Sequence, residues 1–117
     1  MSGDSCDLLC LDLDKAEALR RSGLQQATAE QVADRAAALG DPTRVALALA
    51  LRGGGELCVC DLSWIVERPE KVVSHHLRKM RTADVVGSRR DGRMVMYGLT
   101  ETGARLLGAL VPEEVTA

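Results

Sequence analysis

The sequence predicts a mainly α-helical domain that carries one β-hairpin. The chain has 117 residues, enough for a single hydrophobic core. Aromatic residues make up only 2% of it, so the core must be built from Leu, Val, Ala and Met, a composition that favours helices over a β-sandwich. The pair Asp91-Gly92 lies between two β-compatible runs, over residues 85–90 and 93–99, which is a strong hairpin signal.

Composition also excludes two classes of protein. With 46% hydrophobic and 27% charged residues, the chain is typical of a globular domain and not of a disordered or membrane protein. The acidic first residues precede no long apolar stretch, so we expect no secretory signal, no membrane partner and a cytoplasmic location. In that compartment the four cysteines should stay reduced, which favours metal or redox chemistry over structural disulfides.

Helix signals recur along the chain, and most of the helices have a residue that can begin them. The predicted helices span about residues 15–21, 29–39, 42–52, 62–67, 69–81 and 101–110. The residues that can cap or open them are Thr28, Asp41, Asp61, Pro69 and Thr100. Glycines stop the helices at positions 23, 40 and 53–55, and residues 56–60 are expected to be extended.

The order of these elements is helices, a helix–turn–helix pair, a hairpin and a last helix. That is the winged helix-turn-helix arrangement. We assign residues 28–111 to this DNA-binding and dimerisation domain, residues 1–27 to an N-terminal arm with a short helix, and residues 112–117 to a C-terminal tail.

The second helix of the pair has two different faces. Val73, Leu77 and Met80 form one apolar stripe, which should be buried. Another face combines ammonium, hydroxyl, imidazole and guanidinium donors, which come from Lys71, Ser74, His75 and Arg78. A helix with such donors fits the major groove of B-DNA, where base edges can be read.

Three arginines surround the hairpin turn, and they suit a wing that reaches phosphates or the adjacent minor groove: Arg89, Arg90 and Arg93. Residues 68–93 contain eight Lys or Arg and three acidic residues, a local net charge of +5 in a chain whose overall net charge is −2. Because local charge sets the field that a polyanion meets, the acidic balance of the whole chain does not exclude DNA binding. The alternative is a basic surface that is simply solvated.

The four cysteines form two closely spaced pairs. Cys6 and Cys10 are spaced i, i+4, so one helical turn places both thiols on one side. Cys58 and Cys60 are spaced i, i+2, so an extended backbone would place both on one face. Together the pairs could supply three or four thiolates, ligands that select Cd²⁺, Pb²⁺, Hg²⁺ or Zn²⁺. Structural cysteines and a redox pair are the alternatives. We find no phosphate-binding loop and no nucleophile–base set, so we do not expect an enzyme.

Three segments closely resemble the ArsR/SmtB family of metal-responsive repressors: Ala-Leu-Gly-Asp-Pro-Thr-Arg at 38–44, Glu-Leu-Cys-Val-Cys-Asp-Leu at 56–62 and Ser-His-His-Leu-Arg at 74–78. The resemblance covers about residues 28–111. Together with the Cys-x-x-x-Cys of the arm, the second segment looks like the CadC branch, which senses cadmium and lead.

The resemblance implies a homodimeric repressor that binds a palindromic operator and dissociates from it when the inducer, Cd²⁺ or Pb²⁺ (or Zn²⁺ or Hg²⁺), binds. It implies that the sensory ligands are the arm pair of one subunit and the Cys-x-Cys pair of the other, namely Cys6, Cys10, Cys58 and Cys60. It also implies that Ser74, His75 and their neighbours read DNA, and that the first and last helices form the dimer interface.

Two departures from the family pattern stand out. The last helix contains no His or Asp, so we predict that the second zinc site of many relatives is absent. Residues 68–71, Arg-Pro-Glu-Lys, stand where relatives usually have Gly followed by Ser or Thr. Two alternatives to a metal sensor remain: a thiol redox sensor on the same scaffold, and an interaction module with a structural zinc ion.

Overall fold

The computed structural model describes residues 10–23 and 26–113. Within them the elements, in chain order, are α1 Leu13–Ser22, α2 Gln26–Ala38, α3 Pro42–Gly54, β1 Leu57–Cys58, α4 Val59–Val66, α5 Glu70–Thr82, β2 Val86–Asp91, β3 Met94–Leu99 and α6 Glu101–Leu110. The predicted mainly helical fold with a hairpin is confirmed. None of the helices in these ranges has the length and apolar character needed to cross a bilayer.

Two predicted helix caps are confirmed. At the start of α3, the Asp41 carboxylate accepts the backbone N–H groups of Thr43 at 2.9 Å and Arg44 at 3.1 Å. The hydrogen bond from the Arg44 backbone is the main reason why the pKa of Asp41 lies below its ordinary value. At the start of α6, Thr100 Oγ1 accepts the N–H of Gly103 at 2.9 Å.

Two other predicted caps are wrong. Helix α2 begins at Gln26, so Thr28 lies inside its first turn. Helix α4 begins at Val59, so Asp61 also lies within a first turn and Cys58 occupies the N-cap position. In both cases the residues before the expected cap continue the helix, because neither segment contains a Gly or Pro that would prevent it.

The sheet has three antiparallel strands in the order β1-β3-β2. In the hairpin, Asp91 pairs with Met94, so the turn residues are Gly92 and Arg93, one position later than predicted. Gly92 has a φ of 63°, a conformation that glycine adopts without strain. Strand β1 was expected only as an extended segment; it pairs with β3 through Leu57 opposite Tyr97.

The core lies between α3, α4, α5, α6 and the sheet. The predicted stripe of Val73, Leu77 and Met80 on α5 is fully buried, which confirms that face. The other side chains in the core that are fully buried, or nearly so, are Leu47, Ala48, Leu51, Leu62, Val85, Val86 and Leu107. This packing fixes which face of α5 remains outside.

Helix α1 contributes no buried residue to this core. Its Leu13 and Leu19 are 59% and 60% exposed, and Leu110 at the end of α6 is 63% exposed. These leucines leave apolar surface on the first and last helices of the described chain.

Candidate nucleic-acid interface and thiol site

A tight turn joins α4 to α5 and sets the angle of the second helix. Helix α4 ends at Val66, and its C-cap residue Glu67 adopts the left-handed conformation with a φ of 56°. The Ser63 hydroxyl donates to the carbonyl of Arg68, and the Arg68 N–H donates back to the Ser63 carbonyl at 3.3 Å. These bonds hold the turn closed, so α5 projects from the domain in a defined direction.

The outer face of α5 carries the side chains predicted to contact DNA. Lys71, His75 and Arg78 are exposed, and Ser74 is partly exposed. Because the apolar stripe of the same helix is buried, these four side chains face outwards together. Their exposure agrees with the proposed role in reading DNA, which stays a prediction.

His76 has a different environment from His75. Its Nδ1 lies 3.0 Å from Nη1 of Arg44, whose guanidinium also donates to the carbonyls of Ala37 and Ala38 at 3.2 Å and 2.9 Å. Partial burial lowers the pKa of His76, because it disfavours the charged ring, and a neutral ring can accept from arginine. His76 therefore joins α5 to α3. Sequence analysis missed this role, since the partner lies 32 positions away.

The wing presents three arginines in two environments. Arg90 and Arg93 are exposed without a salt bridge among the described residues. Arg89 instead pairs with Glu56, with Nη2 2.6 Å from Oε1 and Nε 2.9 Å from both carboxylate oxygens. The hydrogen bond from Arg89 lowers the pKa of Glu56. A carboxylate next to the thiol segment thus holds one of the predicted DNA-contacting arginines.

The Glu56→Gln variant should bind DNA about two- to fivefold more tightly, because an exposed ion pair is weak and here competes with phosphate for Arg89. The freed Arg89 should contact one more phosphate, so the slope of log affinity against log salt concentration should become steeper by about one. Fluorescence anisotropy of labelled operator DNA at several salt concentrations would measure both effects. The same change in an Arg89→Ala background should have no further effect; an equal gain there would contradict the competition.

The Arg78→Ala variant should lose about 5- to 150-fold in operator affinity, the range for one direct contact to DNA. The variant Arg78→Lys keeps the charge, so it should recover the part of the affinity that depends on salt but not a bidentate contact to a base. Operator titrations at fixed salt would check this. Unchanged affinity of Arg78→Ala would show that the proposed recognition face is wrong.

The Cys58 and Cys60 thiols do not share an extended segment, so that expectation is wrong. Cys58 ends β1 and Cys60 is the second residue of α4, because the helix begins between them. Both are free thiols, Cys58 partly exposed and Cys60 exposed. The pair therefore lies at the entrance of the first helix of the helix–turn–helix unit.

Each of these two thiols has a carboxylate partner. Cys58 Sγ donates to Oδ2 of Asp61 at 3.3 Å, within the first turn of α4. Cys60 Sγ donates to Oε2 of Glu70, the first residue of α5, at 3.5 Å. The hydrogen bond to Glu70 is the main cause that raises the pKa of Cys60, since it favours the protonated thiol. Sequence analysis identified neither carboxylate as part of this site.

Of the two arm cysteines, only Cys10 is among the described residues, and it forms no group of three possible metal ligands with Cys58 and Cys60. Cys6 lies outside the described residues, and Cys10 is exposed ahead of α1. Contrary to the expectation of reduced thiols, Cys10 is disulfide-bonded, and it could bind a metal only after reduction. Among residues 10–23 and 26–113, no cluster of three or more His, Cys, Asp or Glu side chains is arranged to hold a metal ion.

Known proteins resemble this chain over most of its length. The family model described as "Bacterial regulatory protein, arsR family" matches residues 41–88. A cadmium resistance transcriptional regulatory protein CadC homolog of Staphylococcus aureus is 34% identical over 107 residues, which is 92% of this chain and 88% of the relative. A transcriptional repressor SmtB homolog of Synechocystis is 38% identical over 82% of this chain and 72% of the relative.

A solved structure supports the fold assignment. The homodimeric winged helix-turn-helix DNA-binding domain Mb0332 of Mycobacterium bovis superposes with a TM-score of 0.66 at 24% identity, over 94% of this chain and 86% of that one. This likeness shows that the fold is a winged helix-turn-helix. The chain belongs to the ArsR family of bacterial transcriptional regulators, and it is a regulator rather than an enzyme.

Proposed function

We propose that this chain is a homodimeric, metal-responsive repressor that binds a palindromic operator and dissociates from it when a soft metal ion binds. The relatives named for cadmium resistance and for SmtB-type repression support this proposal. The observation that carries it is the position of two free thiols at the start of the helix–turn–helix unit, beside the recognition helix α5.

The proposed DNA contacts come from α5 and the wing. The exposed donors on α5 enter a major groove, while Arg89, Arg90 and Arg93 reach the adjacent backbone or minor groove. Residues 68–93, which contain all of these contacts, carry the net charge of +5. Two-fold symmetry of a dimer would match a palindrome with half-sites one helical turn, or a small multiple of it, apart.

The proposed metal ligands are Cys58 and Cys60 of one subunit and Cys6 and Cys10 of the other. The donor set fits a soft ion, because thiolates select Cd²⁺ and Pb²⁺, and also Zn²⁺ and Hg²⁺. Among the described residues of one chain, no group of three or more His, Cys, Asp or Glu side chains is arranged to hold a metal ion, so the proposal takes the other ligands from a second subunit. Binding requires thiolates, so it releases protons to water.

The proposed dimer interface is formed by α1 and α6. These helices carry Leu13, Leu19 and Leu110, each more than half exposed, and a second copy would bury them. Burial of such apolar surface stabilises association by about 25 cal/mol per Å² before the entropic costs of binding are subtracted.

In this mechanism, metal binding and operator binding each weaken the affinity of the protein for the other ligand. A metal that draws the partner's arm onto the start of α4 favours an orientation of the helix–turn–helix unit that fits DNA less well. Linkage requires the operator to weaken metal binding by the same factor. A typical coupling of about 1–3 kcal/mol corresponds to about 5- to 150-fold weaker operator binding.

The experiment is a titration of the reduced protein on its operator with Cd²⁺, Pb²⁺, Zn²⁺ and Hg²⁺. We expect release by at least one soft ion and an ultraviolet thiolate-to-metal charge-transfer band at the same stoichiometry. Trp64 gives an internal readout, because it is the only tryptophan, is 86% exposed and lies one turn after Cys60. Operator binding that no metal alters would contradict the proposal.

A redox sensor on the same scaffold is the second candidate, and the disulfide at Cys10 favours it. In that case mild peroxide without metal should release the operator, and mass spectrometry should find the oxidised cysteines. A metal sensor should respond to Cd²⁺ in the presence of reductant and show no oxidised thiol.

A further inference from the structure

One hydrogen bond joins the proposed metal site to the recognition helix directly. Cys60 lies in the first turn of α4 and Glu70 is the first residue of α5, and Cys60 Sγ donates to Glu70 Oε2 at 3.5 Å. Both side chains are exposed, so this contact is open to solvent. In the same turn, the Ser63 hydroxyl donates to the carbonyl of Arg68.

Glu70 begins α5 directly after Pro69. Pro69 occupies the N-cap position and makes no side-chain cap hydrogen bond, so the α5 N-terminus lacks the side-chain anchor that Ser or Thr would supply. Instead, the first residue of α5 is held by a hydrogen bond between its own carboxylate and the thiol of Cys60 in α4.

We propose that Glu70 is a positioning residue that transmits the metal occupancy of Cys60 to α5. This inference rests on the proposed function. In the metal-free protein the thiol of Cys60 donates to Glu70 and holds the start of α5 in the orientation that binds DNA. When a divalent ion binds, a metal–sulfur bond forms, the S–H bond breaks and the proton passes to water. Cys60 then has no hydrogen to donate, and α5 loses this anchor.

The mechanism makes different predictions for two variants of Glu70. In Glu70→Ala, the anchor is missing with and without metal, so metal-free operator affinity should fall relative to metal-loaded affinity, while the loss of one carboxylate near DNA changes both affinities alike. The ratio of operator Kd with Cd²⁺ to operator Kd without it should shrink about two- to fivefold, as expected for one exposed hydrogen bond. In Glu70→Gln, the amide oxygen still accepts from Cys60, so the ratio should stay near that of the wild type.

The experiment measures operator Kd by anisotropy with and without saturating Cd²⁺, under reducing conditions, for the wild type and both variants. Both variants remove the same charge near DNA, so their difference isolates the hydrogen-bond acceptor. Glu67→Asn is a further control, because it removes a charge from the same turn without touching Cys60, and asparagine tolerates the left-handed conformation found there. Its ratio should match the wild type.

The outcomes separate this inference from the proposed function. A full Cd²⁺ charge-transfer band in all variants, with a reduced ratio in Glu70→Ala alone, supports the positioning role. A wild-type ratio in Glu70→Ala, or equal losses in Glu70→Ala and Glu70→Gln, overturns the inference and leaves the metal sensor intact. A wild-type protein that neither shows the band nor releases DNA overturns the proposed function, and the inference with it.

Discussion

Replacing Gly103 by alanine should lower the free energy of unfolding by about 2–4 kcal/mol, because an added methyl group has no room in a packed interior. A Cβ built at Gly103 lies 2.0 Å from the carbonyl oxygen of Val85 and 2.9 Å from its carbonyl carbon. These are backbone atoms, and Val85 is itself fully buried. To relieve the overlap between the new methyl group and the Val85 carbonyl, α6 would have to move away from the start of the hairpin.

The neighbouring contacts oppose such a movement. The Val85 carbonyl accepts the backbone N–H of Thr100 at 3.1 Å and the Thr100 hydroxyl at 3.1 Å, while the same hydroxyl caps α6. Moving α6 would break these bonds and expose Leu107. Urea unfolding followed by circular dichroism, at one fixed protein concentration, would measure the loss.

Gly108 provides a matched control in the same helix. A Cβ there meets no atom within 4 Å. Since alanine favours a helix over glycine by about 0.8–1 kcal/mol, Gly108→Ala should stabilise the protein. If both changes destabilised the protein equally, the cost of Gly103→Ala would come from the helix backbone and not from the contact with Val85.

The double variant Cys58→Ser/Cys60→Ser should lose the metal response of operator binding. Serine keeps the size of the side chain but replaces a soft thiolate with a hydroxyl, which binds Cd²⁺ and Pb²⁺ poorly. Metal should therefore leave operator affinity unchanged, where the wild type is expected to weaken about 5- to 150-fold. Metal-free affinity should stay within a few fold of the wild type, because neither residue belongs to the proposed DNA face and a serine hydroxyl at position 60 keeps a hydrogen for Glu70.

Ultraviolet titration with Cd²⁺ and anisotropy on the operator would test both parts. A charge-transfer band at full strength in the double variant would remove this pair from the metal site. Cys6→Ser is the companion variant: it should weaken metal binding while metal-free operator affinity stays near that of the wild type. Parallel losses of metal and DNA binding in Cys6→Ser would indicate a structural role for the arm.

The sequence alone predicted the elements whose signals are local. The caps at Asp41 and Thr100, the buried stripe of α5 and the hairpin around Gly92 each depend on residues within one or two turns of one another. Local patterns did not predict the structure correctly where the same residues were compatible with two kinds of secondary structure. No residue near Cys58 indicated whether the extended segment would continue to Cys60 or a helix would begin at Val59.

The family assignment also followed from the sequence, since short motifs carried it and the comparisons confirmed it. The motifs named the thiols and the basic face of α5. They did not indicate which groups contact these side chains, because partners depend on how the elements pack.

Only the tertiary structure decided which side chains form hydrogen bonds between the separate elements of the candidate site. Arg44 contacts His76 across 32 positions of sequence, Arg89 contacts Glu56 across 33, and Cys60 contacts Glu70 across 10. Hydrogen bonds act over about 3 Å, while hydrophobic periodicity specifies only which face of each element is buried. The sequence thus determined which surfaces exist, and the packing of α3, α4, α5 and the sheet determined which side chains meet on them.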